Sequence, residues 1–206
     1  MKYNKKYKDV YKIAHTLLFF IQKDMQNFGL TKLMKLFFYA DKLHLEKYKK
    51  PIFNKPYTKL ERGPVPLWTL SLIKKSMRGD KSEMYDLDLQ NEAEIFNQFI
   101  KTYETGHYDM VSFKQKNDVE FNENLFSQSE IEVLTKIAEE FKTLNAEEIS
   151  DLSHETHAWN SVELNQPIEW RNIVDDTQDK FFINYLQNER LSFRDNLEMF
   201  KVEKNK

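Results

Sequence analysis

Two histidines flank a glutamate in the segment His154-Glu155-Thr156-His157, the mixture of residues most suggestive of metal chemistry in this chain. Zinc hydrolases place two histidines four positions apart on one helix, with a glutamate between them as the base. Here the histidines are three positions apart and no third ligand follows in phase. We therefore predict no metal site, with one histidine packed or capping and the other exposed. A hydrolase that uses His154 and Glu155 is the least favoured of three functional hypotheses.

The other residue types do not assemble into a catalytic motif. His15, His44 and His107 are isolated, and we expect each to be structural. The absence of cysteine excludes thiolate nucleophiles and cysteine-ligated metal centres, and four scattered glycines cannot form a phosphate-binding loop. No serine motif stands where a strand would meet a helix. The sequence thus predicts no catalytic residue and no cofactor, in a protein that is not an enzyme.

The segment Leu60–Pro66 combines stiff backbone with residue types that favour binding. A glycine before a proline can adopt extended or positive-φ backbone, and the prolines stiffen the entry to the next helix. A rigid turn loses little entropy on docking, and Arg and Trp are enriched among binding hot spots. A corner before a helix, with no partner, is an equal alternative. The candidate partner-binding residues here are Glu61, Arg62, Gly63, Pro64, Val65 and Trp68.

Charge is distributed unevenly along the chain. Residues 1–60 contain fourteen lysines and four acidic residues, a net +10, whereas residues 120–206 carry a net −10. Neutralisation within one fold is our favoured interpretation, which makes nucleic acid an unlikely partner. The alternative is a nucleic-acid binder that uses lysines interleaved with tyrosines as phosphate and stacking contacts. Its residues would be Lys2, Tyr3, Lys5, Lys6, Tyr7, Tyr11, Lys12, Lys49, Lys50 and Lys55.

Length and composition limit the class of protein. The 206 residues suit a single domain or a small domain with one extension, and 40% hydrophobic residues are enough for a core. The longest apolar run is far shorter than a membrane span, and no signal-peptide pattern follows the basic N-terminus. We expect a soluble, cytoplasmic protein without a membrane partner.

The scarcity of glycine and proline predicts a mainly α fold: a compact helical domain with a small β-hairpin or short strands, plus a C-terminal helical extension. Apolar spacing predicts a helix over 10–25 and a second over 31–49, capped by Thr31. Residues 57–61 should be extended, and Pro64 and Pro66 should open a third helix that closes at residues 78–80.

The second half of the chain predicts further helices and one hairpin. A helix should run from Ala93 to Gly106, followed by a hairpin that joins 108–113 to 119–121 through a turn at Asn117 and Asp118. Ser127 and Glu130 form a capping box, and Asn145 should cap the next helix. A last amphipathic helix is expected from Asp179.

Three blocks of this sequence, in order, resemble the Panacea domain, the SocA-like antitoxin family. They are Thr31-Lys-Leu-Met-Lys-Leu-Phe-Phe-Tyr-Ala-Asp-Lys-Leu-His44 with Lys50-Pro-Ile-Phe53, then Glu61-Arg-Gly-Pro-Val65, then Leu152-Ser-His-Glu-Thr-His-Ala-Trp159. The resemblance covers about residues 10 to 162, so we expect a Panacea-like domain over 1–162 and a helical extension over 163–206 packed on it. The chain departs from the family at Leu60 and Glu61, where a tryptophan is common, and at His157 and Ala158.

The resemblance implies an antitoxin of bacterial or phage origin that neutralises a toxin encoded beside it by direct binding. It also implies a cytoplasmic protein, with a protease as a further partner if this chain delivers its toxin for degradation, as one type of relative does. A homodimer is an open alternative to a monomer. The resemblance adds His154, Glu155 and Trp159 to the candidate partner-binding residues and makes the C-terminal extension a candidate specificity element.

Overall fold

A computed structural model of the chain describes residues 3–78, 89–104, 111–116 and 119–174. Helices predominate, with two small antiparallel sheets, so the predicted mainly α fold class is confirmed. The elements are α1 (Lys8–Gln22), α2 (Leu30–Tyr48), β1 (Tyr57–Leu60), β2 (Gly63–Val65), α3 (Leu67–Arg78), α4 (Gln90–Phe96), β3 (Ile100–Glu104), β4 (Val111–Gln115), α5 (Gln128–Glu140), α6 (Ala146–His154), α7 (His157–Asn160), β5 (Pro167–Ile168) and α8 (Trp170–Ile173).

Helix α2 lies between two apolar clusters. Its residues Leu33, Leu36 and Phe37 are buried in the main core, together with the predicted apolar face of α1. Phe38 and Leu45 point into a second cluster built with Tyr57, Ala158, Ile168, Ile173 and Val174. Because α2 is buried on both sides, it is the element against which the rest of the domain is positioned.

The predicted N-cap of α2 is wrong by two residues. The helix begins at Leu30, with Gly29 at the N-cap in an extended conformation and no side-chain cap, and Thr31 lies inside the first turn. Leu30 packs against the main core, which draws it into the helix. The predicted end is confirmed, since Lys49 closes α2 in the left-handed conformation (φ 60°).

The extended segment predicted at 57–61 is confirmed as β1, but Pro64 does not open a helix. The chain turns at residues 61–62 and returns as β2, with Leu60 opposite Gly63 and Thr58 opposite Val65. Strand order is β2-β1-β5, so Pro64 lies in an edge strand, where its missing N–H is tolerated. Helix α3 begins after Pro66.

The helix predicted from Ala93 to Gly106 is confirmed only as far as Phe96 and is wrong from Ile100 onward. Helix α4 ends at Phe96, the Asn97 amide donates to the Ser76 carbonyl over 2.9 Å, and the chain continues as β3. Apolar residues at 96, 99, 100 and 103 fit one helix face, so periodicity alone could not exclude the helix. The segment is a strand because its backbone pairs with β4.

The predicted hairpin is right in part about its first strand and wrong about that strand's partner. Val111–Gln115 pairs with β3, with Thr102 opposite Phe113, and does not pair with residues 119–121. Phe121 instead packs its ring against Phe19 and Phe126. The predicted turn at Asn117 and Asp118 lies outside the described residues.

Both predicted caps in the second half are confirmed. The Ser127 N–H donates to Glu130 Oε2 over 2.8 Å while Ser127 Oγ accepts from the Glu130 N–H, which starts α5. Asn145 and Glu148 make the same reciprocal pair at the start of α6. Such caps need only residues three positions apart, so the sequence is sufficient to find them.

The described residues of the C-terminal extension, 163–174, pack on the rest of the domain. Strand β5 pairs with β1, and Ile173 and Val174 are buried in the second cluster. The helix predicted from Asp179 lies outside the described residues, and the boundary at 162 stays a prediction. Within residues 3–78, 89–104, 111–116 and 119–174, no helix combines the length and apolar character that crossing a membrane requires.

Candidate partner-binding surface

The three sequence blocks that resemble one family meet in space at Gly63. Its φ of +101° is one that side chains rarely adopt, and a Cβ there would lie 2.1 Å from Ser153 Oγ and 2.7 Å from Lys35 Cε. Lys35 belongs to the first block and Ser153 to the third. Only glycine fits, because both the backbone angle and the space exclude a side chain. We call this arrangement, the Leu60–Val65 turn with Lys35, Ser153 and Trp159, the Gly63 corner.

Lys35 stabilises the Gly63 corner from the interior of the domain. It is 0% exposed, and its Nζ donates to the Pro64 carbonyl over 2.9 Å. Burial lowers the pKa of Lys35 to about 7, because the charged form is poorly solvated in the interior. Sequence reasoning missed this residue, although a lysine between Met34 and Leu36 on a buried helix was the available signal.

Lys32, one turn earlier on α2, has an equivalent role toward the segments that precede α2 and follow α5. It is fully buried, and its Nζ donates to three carbonyl oxygens, those of Gln26, Lys142 and Leu144, over 2.6–3.0 Å. Burial lowers the pKa of Lys32 to about 8, and Glu148 partly opposes the shift. The two buried lysines of the first block, Lys32 and Lys35, are therefore structural.

Asp41 organises the loop between α2 and β1. Its carboxylate accepts hydrogen bonds from the N–H groups of Ile52 and Phe53 and from the Tyr57 hydroxyl, over 2.6–2.9 Å. Burial raises the pKa of Asp41 to about 7, and these hydrogen bonds oppose that shift only in part. The loop that leads to the Gly63 corner is fixed by a buried polar group.

Trp159 connects the third block to the Leu60–Val65 turn. Its indole N–H donates to the Leu60 carbonyl over 3.1 Å, and Lys59 Nζ lies 3.9 Å from its ring centroid. The His154 ring packs on the indole with 4.2 Å between centroids. His154 Nε2 is buried without a hydrogen-bond partner. This segment is therefore anchored to the turn, and the half-buried edge of Trp159 remains accessible.

Exposure differs sharply among the candidate residues. Gly63, Pro64 and Val65 are buried, so their side chains support the turn from within. Glu61, Arg62 and Glu155 are exposed, while Trp68, His154 and Trp159 are half-buried.

Trp68 lies on α3, at the margin of the main core. Lys55 Nζ lies 4.0 Å from its ring centroid and also pairs with Asp9 of α1. The contacts of Trp68 thus connect it to the N-terminal half of the domain.

His15 and His44 have structural roles, as the sequence predicts. His15 Nδ1 accepts from the Asn122 N–H and its Nε2 bonds the Tyr3 hydroxyl, while burial lowers the pKa of His15 to about 4. His44 donates to the Lys50 carbonyl and accepts from the Ser129 hydroxyl. His107 lies outside the described residues.

His154 and His157 fall on two different helices, α6 and α7. Across the described ranges there is no group of three or more histidine and acidic side chains that could hold a metal ion.

Some of the positive charge of residues 1–60 is neutralised by the acidic C-terminal region. Lys12 Nζ lies 2.6 Å from Glu130 Oε1, and Lys47 Nζ lies 3.0 Å from Glu132 Oε1. Lys32 and Lys35 are buried and bonded to backbone carbonyls, so they too are engaged inside the fold. The favoured interpretation, neutralisation within one fold, is supported at these positions.

Comparison with known proteins gives one result. No curated protein and no solved structure matches the chain significantly. The family model described as antitoxin SocA-like, Panacea domain, matches residues 33–160, which is more than half of the chain and reaches all three blocks that meet at the Gly63 corner. This chain therefore belongs to the SocA-like antitoxin family of Panacea domains.

Proposed function

We propose that this protein is a non-enzymatic antitoxin that neutralises a toxin encoded beside it by direct binding. The observation that carries the proposal is the family match over residues 33–160. A binding role agrees with the chemistry of the Gly63 corner. There the side-chain polar groups of Lys35, Ser153 and Trp159 donate hydrogen bonds to backbone carbonyls of the fold itself. A preformed surface loses little conformational entropy on association.

The proposed contact surface includes the exposed residues of the corner. Glu61 and Arg62 project at the tip of the β1–β2 hairpin, and Glu155 with the edge of Trp159 lies on the adjoining third block. Gly63, Pro64 and Val65 contribute by holding this tip rigid. Arginine and tryptophan are residue types that contribute strongly to binding when a partner desolvates them.

The direct test is expression of the neighbouring gene in a bacterial host, alone and together with this chain. We expect growth arrest with the neighbour alone and growth with both, together with co-purification of the two proteins. A harmless neighbour, or a toxic one that is not relieved by abundant folded antitoxin, would contradict the proposal. Protection that persists without any stable complex would contradict direct binding.

A further inference from the structure

A second surface lies next to the Gly63 corner. Helices α2, α5 and the end of α6 enclose an open groove of about 430 Å³. Its apolar lining comprises Tyr39, Leu43, Ile137, Phe141 and Leu152. Tyr39 stacks on Phe141 with 4.6 Å between ring centroids, so the base of this α2–α5–α6 groove is already ordered.

Leu152 is the most informative residue of the groove. Its side chain is 41% exposed, although its neighbours Ile149 and Ser153 on α6 are fully buried. An exposed leucine alone is common on protein surfaces. Here it stands beside the half-buried Tyr39 and Leu43, over a floor of buried Ile137 and Phe141, and an exposed apolar edge of this kind is what an apolar partner would cover.

The charges around the groove are mainly negative. Lys42 is paired with Glu46. The remaining charged residues of the lining are one lysine, Lys136, and two glutamates, Glu140 and Glu155. Glu139 and Asp151 are exposed on the same helices, α5 and α6.

Helix dipoles add to this potential. Helices α5 and α6 both end beside the groove, at Glu140 and His154, and the C-terminal end of a helix carries a partial negative charge. Both sources of potential favour a cationic partner.

We propose that the α2–α5–α6 groove binds one amphipathic helix of the toxin, with apolar residues against Leu152 and Leu43 and with lysines or arginines facing Glu140 and Glu155. The proposal rests on the proposed function, because it names where and by what the toxin is bound. A groove between helices accepts a helix whose apolar residues recur every three or four positions.

Charge complementarity argues against two other occupants. In a symmetric dimer built on this face, the acidic rim would approach its own copy, and like charges destabilise such a contact. Residues 175–206 contain seven acidic and six basic residues, so that segment offers no excess of positive charge.

Binding of the purified full chain to the purified product of the neighbouring gene tests the groove. Leu152→Lys, and separately the double variant Glu140→Lys with Glu155→Lys, should each weaken binding by about tenfold or more. Leu164→Lys is the matched control, because Leu164 is 43% exposed and does not line the groove, and it should change affinity less than about twofold. Thermal unfolding of all variants should match the wild type.

The outcomes separate the two proposals. If the wild-type chain does not bind the neighbour, the proposed function fails and the groove inference fails with it. If the wild type binds and the groove variants bind equally well, only the groove inference is wrong.

A photo-crosslinking side chain in place of Leu152, in the full chain co-expressed with the neighbour, identifies the occupant. A cross-link to a toxin segment with helical apolar spacing and flanking basic residues supports the inference. Cross-links to residues 175–206 of the same chain, or to a second copy, would overturn it.

Discussion

The Gly63 corner and the α2–α5–α6 groove share two helices but differ in how far their side chains are exposed. Adjacent residues of α6 show the contrast, because Ser153 is 0% exposed in the corner whereas Leu152 is 41% exposed in the groove. In the corner, buried polar atoms are paired within the chain, as Lys35 is with the Pro64 carbonyl. In the groove, Leu152 is left uncovered above a buried apolar floor.

The contrast separates the buried residues of the family blocks, which build the scaffold, from the exposed ones, which the structure leaves for a partner. Most residues that carry the family resemblance around the corner are buried and build the scaffold. The groove draws on α5, which lies outside the three blocks, on half-buried positions of α2, and on the exposed residues Leu152 and Glu155 of the third block. We infer that the buried residues of the blocks specify the fold, while a partner is selected by exposed residues within and beside the blocks.

The largest expected effect is from Gly63→Ala, which breaks the corner. The positive φ and the overlap with Ser153 and Lys35 should together lower the free energy of unfolding by about 3 kcal/mol or more. Chemical denaturation measures it. Gly29→Ala is the control, because its Cβ would meet only the Val111 carbonyl at an ordinary 3.4 Å, and it should cost less than about 1 kcal/mol. Equal losses for the two variants would show that the corner has no special constraint.

Lys35→Met should alter how stability depends on pH. Burial lowers the pKa of Lys35 to about 7 from a usual value of 10.5, so between these pH values the unfolded chain binds more protons than the folded one. Wild-type stability should therefore rise with pH across that window, at up to about 1.4 kcal/mol per unit from this group. Denaturation at several pH values should show a smaller slope in the variant. An unchanged slope would mean that Lys35 is not buried as a titrating group.

Asp41→Asn should change the slope of stability against pH in the direction opposite to Lys35→Met. Burial raises the pKa of Asp41 from 3.8 to about 7, so the folded chain binds more protons in that window and its stability contribution falls as pH rises through it. The variant should lose this falling component. The same denaturation series at acidic to neutral pH measures it, and a slope identical to that of the wild type would contradict the assignment.

Arg62→Ala compares the corner with the groove as binding surfaces. The exposed side chain should contribute less than about 0.5 kcal/mol to stability but about tenfold to toxin affinity. Arg171→Ala, at an exposed arginine of α8, is the matched control. If affinity responds to Leu152→Lys and not to Arg62→Ala, the groove alone binds the toxin, and the reverse result would assign binding to the corner.

The smallest effect is expected from Trp159→Phe. The variant loses the 3.1 Å hydrogen bond to the Leu60 carbonyl, which should cost about 1 kcal/mol of stability. Trp68→Phe keeps an aromatic ring beside Lys55 and should cost less than that. Equal values in denaturation experiments would mean that the Trp159 hydrogen bond does not hold the third block in place.

Sequence alone was sufficient where structure depends on near neighbours. The apolar spacing of α1, the capping box at Ser127 and the cap at Asn145 involve residues a few positions apart, and each was predicted. The ordered blocks identified the family, because residue types at set spacings are a property of the chain itself.

Only the tertiary structure decided the features that depend on distant segments. The segment after Phe96 became a strand because β4 was present to pair with it, against a spacing that also suits a helix. Lys35 is buried because the Pro64 carbonyl, twenty-nine residues away, accepts its hydrogen bond. Gly63 is required because Lys35 and Ser153 converge on it from opposite directions along the chain, and no local pattern reports which distant atoms will occupy a given space.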